Sequence, residues 1–152
     1  MRVIFLKLSG GLFAGTQDGK PACIDHERVY AFAKAISTAV QEEDIKLGVA
    51  VCGGNIYRGR DHARIRKLKT SVYAGDHMGL LATVINGVAL TDVLVHECGM
   101  RAELFSEVAS ADVADRFLVR KAAEYWRSFD ILVFTGTGAP AVGRSTDSVA
   151  AD

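Results

Sequence analysis

Paired glycines followed by an arginine are the feature of this chain with the clearest chemical potential. Gly53 and Gly54 follow the apolar run 47–51, which has the composition of a buried β-strand. Because neither glycine carries a Cβ atom, their backbone N–H groups can approach a ligand closely. The guanidinium of Arg58, four residues later, matches the geometry of a phosphate or a carboxylate. The segment predicts an anion site at a strand end, although a tight βα turn with a surface arginine fits the same residues.

Two other predicted strands also end in glycine and polar residues. Ser9-Gly10-Gly11 follows Lys7 at the end of strand 2–8, and Gly136-Thr137-Gly138 follows strand 130–134. A lysine among backbone N–H groups can neutralise the charge that develops on a transferring phosphoryl group. Taken alone, the same lysine could belong to an edge strand and reach solvent. The chain has neither a Walker A loop nor a Gly-x-Gly-x-x-Gly motif after a strand.

Carboxylates and hydroxyls supply a second kind of candidate group. Asp76, at the start of a predicted long helix, could accept hydrogen bonds from ribose hydroxyls. Alternatively, the helix dipole alone could favour a carboxylate at this position. Thr137, Ser145 and Thr146 could bind phosphate oxygens, and Asp147 could orient a lysine. The Ser-Thr-Asp run is equally suited to cap a helix.

The elements that must position these residues alternate along the chain. Strands are predicted at 2–8, 45–52, 100–105 and 130–134, and helices at about 26–42, 74–97 and 112–127. Such alternation predicts βαβ units and a mainly parallel sheet, which binds ligands at the carboxyl ends of its strands. In helix 74–97 one apolar stripe is interpreted mainly as core, with an oligomer face as the alternative; its residues are Ala74, Met78, Leu81, Ile85, Val88 and Leu94.

Length and composition narrow the possible classes of protein. A chain of 152 residues with 49 % hydrophobic residues predicts one globular domain. Eighteen basic and eighteen acidic residues argue against a nucleic-acid partner. We expect no membrane partner, since no apolar run approaches the ~20 residues needed to span a bilayer. Three widely spaced cysteines indicate reduced thiols in a cytoplasmic protein, and no metal-ligand cluster is predicted.

Together these segments resemble the bacterial uridylate (UMP) kinases of the amino acid kinase family. The resemblance rests on four blocks: Lys7 to Gly10, Gly53 to Gly59, Gly75 to Gly87, and Gly136 to Pro140 with Ser145-Thr146-Asp147. It implies a three-layer α/β/α sandwich with a mainly parallel sheet, of which residues 1–152 form the nucleoside-monophosphate (acceptor) lobe. It also implies a homohexamer that transfers the γ-phosphoryl group of ATP to UMP, with Mg²⁺, in pyrimidine nucleotide biosynthesis.

The resemblance also implies a role for individual residues. Lys7 would contact the transferring phosphoryl group as a catalytic residue, and the ATP phosphates would be lined by Ser9, Gly10, Gly54 and Arg58. UMP would be held by Gly53, Asp76, Thr137, Gly138, Ser145 and Thr146. Asp147 would support the phosphate-binding groups as the second catalytic residue.

Departures from the family pattern leave part of this prediction open. Cys52 and Ala139 replace a usual glycine and a usual asparagine, and residues 141–144 change the acceptor loop, so the acceptor base stays open. The family also continues beyond Asp147 with the part that holds the ATP base and ribose. A fragment, a second chain that completes the site, and loss of kinase activity therefore remain alternatives. A non-catalytic binding or storage protein on the same fold, similar to the molybdenum storage proteins, is the alternative function.

Overall fold

A five-stranded parallel sheet forms the centre of the protein. The computed structural model describes residues 2–58, 72–108 and 112–137. Seven strands follow one another in this part of the chain: β1 (Arg2–Leu8), β2 (Gly15–Gln17), β3 (Lys20–Ala22), β4 (Ile45–Val51), β5 (Ala102–Ser106), β6 (Asp115–Arg116) and β7 (Ile131–Thr135). The central sheet has the order β1-β4-β7-β5-β6 and all of its pairings are parallel, while β2 and β3 form a separate hairpin. The predicted mainly parallel sheet is confirmed.

Helices cover both faces of this sheet. The described helices are α1 (His26–Glu42), α2 (Val72–His96), α3 (Val119–Tyr125) and a 3₁₀ turn at Gly10–Leu12. The inner sides of α1 and α2 share one hydrophobic core with β4 and β7, whereas α3 packs beside Phe105, Leu132 and Phe134 on the other face. Successive residues of a strand point to opposite faces, so β7 supplies both cores and is buried along its whole length. The predicted three-layer α/β/α arrangement is therefore confirmed.

The amino edge of the sheet is tied together by one carboxylate. Asp130, just before β7, accepts hydrogen bonds from Arg101 Nε and Nη2 at 2.8 and 2.7 Å and from Lys46 Nζ at 2.8 Å. The hydrogen bonds from Arg101, together with Lys46, hold the pKa of Asp130 below its usual value. Because Lys46 lies in β4 and Arg101 directly precedes β5, this carboxylate links three neighbouring strands at the edge opposite the glycine-rich turns.

Helix α1 begins where its capping residue predicts. The side chain of Asp25 accepts a hydrogen bond from Arg28 N at 3.1 Å, and this bond lowers the pKa of the carboxyl. The second oxygen of Asp25 accepts from Thr16 N at 3.1 Å. One carboxylate thus starts α1 and fixes the hairpin that precedes it.

Gly15, Gly19 and Pro21 predict a loop after the first strand, but residues 15–22 form the β2–β3 hairpin instead. Gln17 pairs with Lys20, so the connection consists of Asp18 and Gly19 alone. Both have positive φ, 52° and 74°, as a type I′ turn requires. The Asp-Gly pair was the available sequence signal, but the strands on either side are too short to show an alternating pattern.

The helix predicted over 112–127 is wrong in its first half. Asp115–Arg116 forms strand β6 beside β5, and α3 occupies only Val119–Tyr125. Asp115 accepts hydrogen bonds from Tyr125 Oη and Lys121 Nζ, both at 2.7 Å, which lower the pKa of Asp115, that from Lys121 the most. Sheet pairing and these contacts outweigh the helical spacing of the apolar residues in this segment.

The single core stripe predicted for the long helix is also wrong. Leu94 is buried, but Met78, Leu81, Ile85 and Val88 are between 40 and 49 % exposed. This helix is apolar on all sides, so periodicity cannot tell its inner face from its outer face. The expectation that no apolar run approaches the length of a bilayer span is also wrong. By length and composition alone, residues 74–96 form a helix long and apolar enough to cross a membrane, and 44 % of its most apolar stretch is buried inside the protein.

The sequence also predicts a short helix or mobile loop at 59–70 and a helix that begins at Asp147, and both segments lie outside the described residues.

Candidate phosphate site

The turns after β1 and β4 meet at the carboxyl edge of the sheet. Cys52 N donates a hydrogen bond to Leu8 O at 3.0 Å, which joins the residue after β4 to the last residue of β1. Gly10 is buried so closely against the second turn that a Cβ atom on it would lie 2.8 Å from Gly54 N and 2.9 Å from Asn55 N. The absence of a side chain at Gly10 is therefore what allows the two glycine turns to touch.

Helix α2 closes over the second turn. A Cβ atom on Gly53 would lie 2.7 Å from Ala82 C and from Thr83 N. Gly53 is buried and its φ is not positive, so space rather than backbone conformation requires glycine at this position. The helix backbone thus lies directly against the turn.

The third turn, after β7, reaches the same helix. Gly136 has a φ of +62° and donates its N–H to Thr83 Oγ1 at 2.6 Å. A Cβ atom on Gly136 would lie 2.8 Å from Ser106 Oγ, so both backbone conformation and space require glycine here. Thr137 follows in a buried position. Thr83 therefore contacts the turns of both β4 and β7.

Lys7 lies one residue before the end of β1 and is exposed. It is in register with Ala50, which in turn is in register with Phe134, so it sits at the same end of the sheet as the three turns. Its charge reaches Cys52: burial raises the pKa of that thiol, and the ammonium of Lys7 partly opposes the shift.

Arg58 and Ser9 lie at the outer side of these turns. Arg58 Nε donates to Gly54 O at 3.0 Å, so the exposed guanidinium is folded back onto the glycine turn. Ser9 caps the 3₁₀ turn, and its hydroxyl accepts from Gly11 N at 3.4 Å. Ser9 directly precedes the buried Gly10, and Arg58 contacts Gly54, which follows the buried Gly53, so both side chains could contact an anion bound at these turns.

Asp76 lies in the second turn of α2 and is half-buried. It precedes Thr83 by seven residues, which is about 10 Å along a helix axis. The structure therefore connects Asp76 to the glycine turns through the helix that packs on them. Gly138, Ser145, Thr146 and Asp147 lie outside the described residues.

Three residues that hold the turns in place were not singled out from the sequence. Thr83 accepts a hydrogen bond from Gly136 N in the turn after β7. Asn86 donates to Cys52 O at the turn after β4, and Asn55 in that turn donates to the side chain of Asn86. For Thr83 and Asn86, the available signal was a polar side chain within the apolar helix α2, where an unpaired hydroxyl or amide would be costly.

Backbone N–H groups, a lysine and an arginine gathered at the carboxyl edge of a parallel sheet are typical of α/β proteins that bind phosphate. Within residues 2–58, 72–108 and 112–137, no group of three or more His, Cys, Asp and Glu residues is placed to hold a metal ion. The arrangement could therefore bind an anion by positive charge and backbone donors.

Comparisons with known proteins agree on one group. No protein-family model matches the chain. A uridylate kinase from Paenarthrobacter aurescens is 35 % identical over 150 residues, which is 99 % of this chain and 57 % of the relative. One from Pectobacterium atrosepticum is 36 % identical over 148 residues, again 57 % of the relative. The chain thus spans a little over half the length of the curated relatives it matches.

Solved structures give the same answer for the fold. A UMP kinase from Ureaplasma parvum matches with a TM-score of 0.81 at 22 % identity, over 99 % of this chain and 60 % of the other. A UMP kinase from Bacillus anthracis matches with a TM-score of 0.71 at 25 % identity, over 89 % of this chain and 52 % of the other. Over nearly its whole length, this chain is similar to uridylate kinases, and it has the fold of the matching part of the solved UMP kinases.

Proposed function

We propose that this chain is the acceptor-binding part of a UMP kinase, which transfers the γ-phosphoryl group of ATP to UMP in pyrimidine nucleotide biosynthesis. The observation that carries the proposal is the meeting of the Gly10, Gly53 and Gly136 turns beside Lys7, in a chain similar to uridylate kinases over 99 % of its length. Catalysis of this kind consists mainly of positioning and charge neutralisation.

The proposed roles of individual residues are those that the resemblance implies. Lys7 would neutralise the transferring phosphoryl group, and Ser9, Gly10, Gly54 and Arg58 would line the ATP phosphates. Gly53, Asp76 and Thr137 would hold UMP, with Gly138, Ser145 and Thr146 as further UMP contacts and Asp147 as the second catalytic residue. Mg²⁺ is the proposed metal ion, and it commonly binds through one or two carboxylates and the substrate phosphates.

Thermal protection by UMP tests the acceptor assignment. Millimolar UMP should raise the melting temperature of the 152-residue chain, because a ligand that binds only the folded state stabilises it. Asp76→Asn should abolish this rise and leave the ligand-free melting temperature close to wild type. An unchanged melting temperature of the wild-type chain in UMP would contradict the assignment.

Calorimetry with ATP separates an enzyme from a binding protein. Binding of ATP, together with phosphoryl transfer that Lys7→Ala abolishes, is the result expected of a kinase. A stable oligomer that binds UMP without binding ATP would instead favour the non-catalytic alternative. Turnover retained in Lys7→Ala would exclude Lys7 from the mechanism.

We infer that copies of this protein assemble through the outer face of α2. The homohexamer that the resemblance implies would then contain this contact. Every exposed position of this helix from residue 78 to residue 88 holds a large apolar side chain: Met78, Leu81, Ile85 and Val88. Such spacing of three, four and three residues is that of a helix-pairing seam. The interval 77–91 contains no charged residue that would select a partner of opposite charge.

A second copy of this chain fits that seam by symmetry. The spacing reads the same in both directions, so a two-fold axis near residue 83 would place Met78 opposite Val88 and Leu81 opposite Ile85. Each large side chain would then meet another large side chain.

The proposed cytoplasmic location is supported by three cysteines that are all free thiols.

A further inference from the structure

Two polar side chains on the inner face of α2 are almost completely removed from solvent. Thr83 is 5 % exposed and Asn86 is 0 % exposed. A hydroxyl or amide buried in this way is costly unless it is hydrogen-bonded. Both are hydrogen-bonded, and their longest-range partners are the turns at the carboxyl edge of the sheet.

Thr83 holds the turn after β7. Its hydroxyl oxygen accepts from Gly136 N at 2.6 Å and donates to Leu80 O, within the helix, at 2.7 Å. Gly136 directly precedes Thr137, for which a UMP contact is proposed. The Thr83 hydroxyl group therefore joins this turn directly to α2.

Asn86 holds the turn after β4. Its Nδ2 donates to Cys52 O at 2.8 Å and to Asn55 Oδ1 at 2.7 Å, while Asn55 Nδ2 donates back to Asn86 Oδ1 at 3.1 Å. Asn55 Nδ2 also donates to Cys23 O at 2.7 Å. The two amides, here called the Asn55–Asn86 pair, thus bridge both ends of the Cys52–Asn55 turn to α2 and to the segment before α1.

We propose that Thr83 and the Asn55–Asn86 pair are positioning residues for the phosphate site. They set the distance between the Gly53-Gly54 turn and the Gly136-Thr137 turn, because both are hydrogen-bonded to α2 at positions only three residues apart. This inference rests on the proposed function for its consequence in catalysis. A site that works by positioning loses activity when its supporting groups shift by about 1 Å.

The substitution Thr83→Val tests the first contact without changing side-chain shape. It removes the acceptor for Gly136 N, so hydrogen exchange of the Gly136 amide should accelerate about tenfold, with UMP affinity falling by a similar factor. Thr83→Ser keeps the hydroxyl and should restore both values. Exchange of the amides in the middle of β7 should remain unchanged in both variants.

Thr91→Val is a matched control on the same helix. The Thr91 hydroxyl is buried and has no hydrogen-bond partner among the residues that the structure describes. Its loss should leave Gly136 exchange and UMP affinity at their wild-type values. If Thr83→Val behaves like Thr91→Val in both measurements, the inference is wrong.

Asn55→Ala tests the amide pair at its half-buried member, which can be changed at lower cost than Asn86. We expect faster exchange of the Ile56 and Tyr57 amides, which donate to Gly53 O at 3.0 and 3.1 Å, and a several-fold loss of UMP affinity, with the fold retained by circular dichroism. Unchanged exchange and affinity would overturn the role of the pair. Absence of UMP binding by the wild-type chain would overturn the proposed function, and the exchange measurements would then decide the positioning contacts by themselves.

Discussion

At the scale of single residues, the site depends on positions where a side chain would not fit. Gly10 and Gly53 are buried without positive φ, and a Cβ atom on either would lie under 3.0 Å from backbone atoms of a neighbouring segment. Close approach of backbone to backbone is therefore the reason for glycine at both positions. Gly136 differs, because its φ of +62° adds a conformational requirement.

Gly53→Ala should destabilise the protein and displace the turn from α2. The added methyl group would lie 2.7 Å from the Ala82 carbonyl carbon, and helix backbone cannot move aside cheaply. We expect a loss of about 1–3 kcal/mol in the free energy of unfolding, measured by urea denaturation. Gly11→Ala is the control, since its nearest neighbour, Ser9 Oγ, would be 3.7 Å away. Equal stability of the two variants would contradict this account of Gly53.

Glu103→Gln should stabilise the protein at neutral pH. Burial, followed by the smaller effect of nearby Asp115, raises the pKa of Glu103 above its ordinary value. A raised pKa in the folded state means that the group favours folding below the ordinary glutamate pKa of about 4.3, and that this contribution is lost as pH rises through the folded-state value. The neutral amide avoids that loss.

Melting temperatures across pH check this prediction. The variant should melt a few degrees above wild type at pH 7, and the difference should vanish below about pH 4. Glu97→Gln, an exposed position, is the control and should show no such dependence. A difference that is constant across pH would show that ionisation of Glu103 is not the cause.

At the scale of elements, α2 presents two different surfaces on opposite faces. Its inner face binds the glycine turns through Thr83 and Asn86, and its outer face presents four large apolar residues. A helix buried on one side only would ordinarily be polar on the other. The apolar outer face therefore indicates a partner, and the proposed partner is a second copy of the helix.

The double variant Leu81→Lys/Ile85→Lys should dissociate the assembly. Charges placed at the centre of an apolar helix pair would have to be buried without partners, which is strongly unfavourable. Sedimentation velocity should show a shift to monomer while circular dichroism shows retained helix. Tyr30→Lys is the control, because Tyr30 is an apolar-bodied residue of α1 with similar exposure, 45 %. A wild-type chain that is itself monomeric would refute this use of the helix.

At the scale of the whole molecule, the sheet is covered unevenly. Strand β1 is the last strand of the described sheet on its side, and three consecutive apolar residues in it, Ile4, Phe5 and Leu6, are 39, 64 and 39 % exposed. The Phe5 ring lies across Gly48 and stacks on Phe134 at 6.1 Å. Exposed apolar residues on an end strand favour further association.

Phe5→Lys should reduce binding of an apolar dye such as anilinonaphthalene sulfonate to the 152-residue chain. Phe5 is the most exposed of the three apolar residues of β1. A lysine at this position would replace the exposed ring with a hydrated charge. Val113→Lys, at an exposed apolar residue in another part of the chain, should change dye fluorescence much less. Equal effects of the two substitutions would show that β1 is not the principal apolar surface.

Much of the fold could be predicted because strong local signals coincide with buried strands and capped helices. Strands β1, β4 and β7 and helix α1 lie within a residue or two of their predicted bounds, since each has a continuous apolar run or an N-cap such as Asp25. The helix predicted for residues 112–118 was wrong because β6 forms by pairing with β5, and no local pattern in the sequence indicates that pairing. The 15–22 hairpin failed because its strands are only three residues long.

By itself, the sequence determined the parallel α/β architecture, because it alternates strands and helices. It also predicts which residues could bind a phosphate, since such alternation places every strand end at one edge of the sheet. Only the tertiary structure decided how those ends are held together. The contacts that do so join residues 31 to 53 positions apart, Asn55 with Asn86 and Thr83 with Gly136, and such distances are set by packing across the sheet. Packing also decided which side of the wholly apolar helix α2 is buried, since its periodicity is the same on both faces.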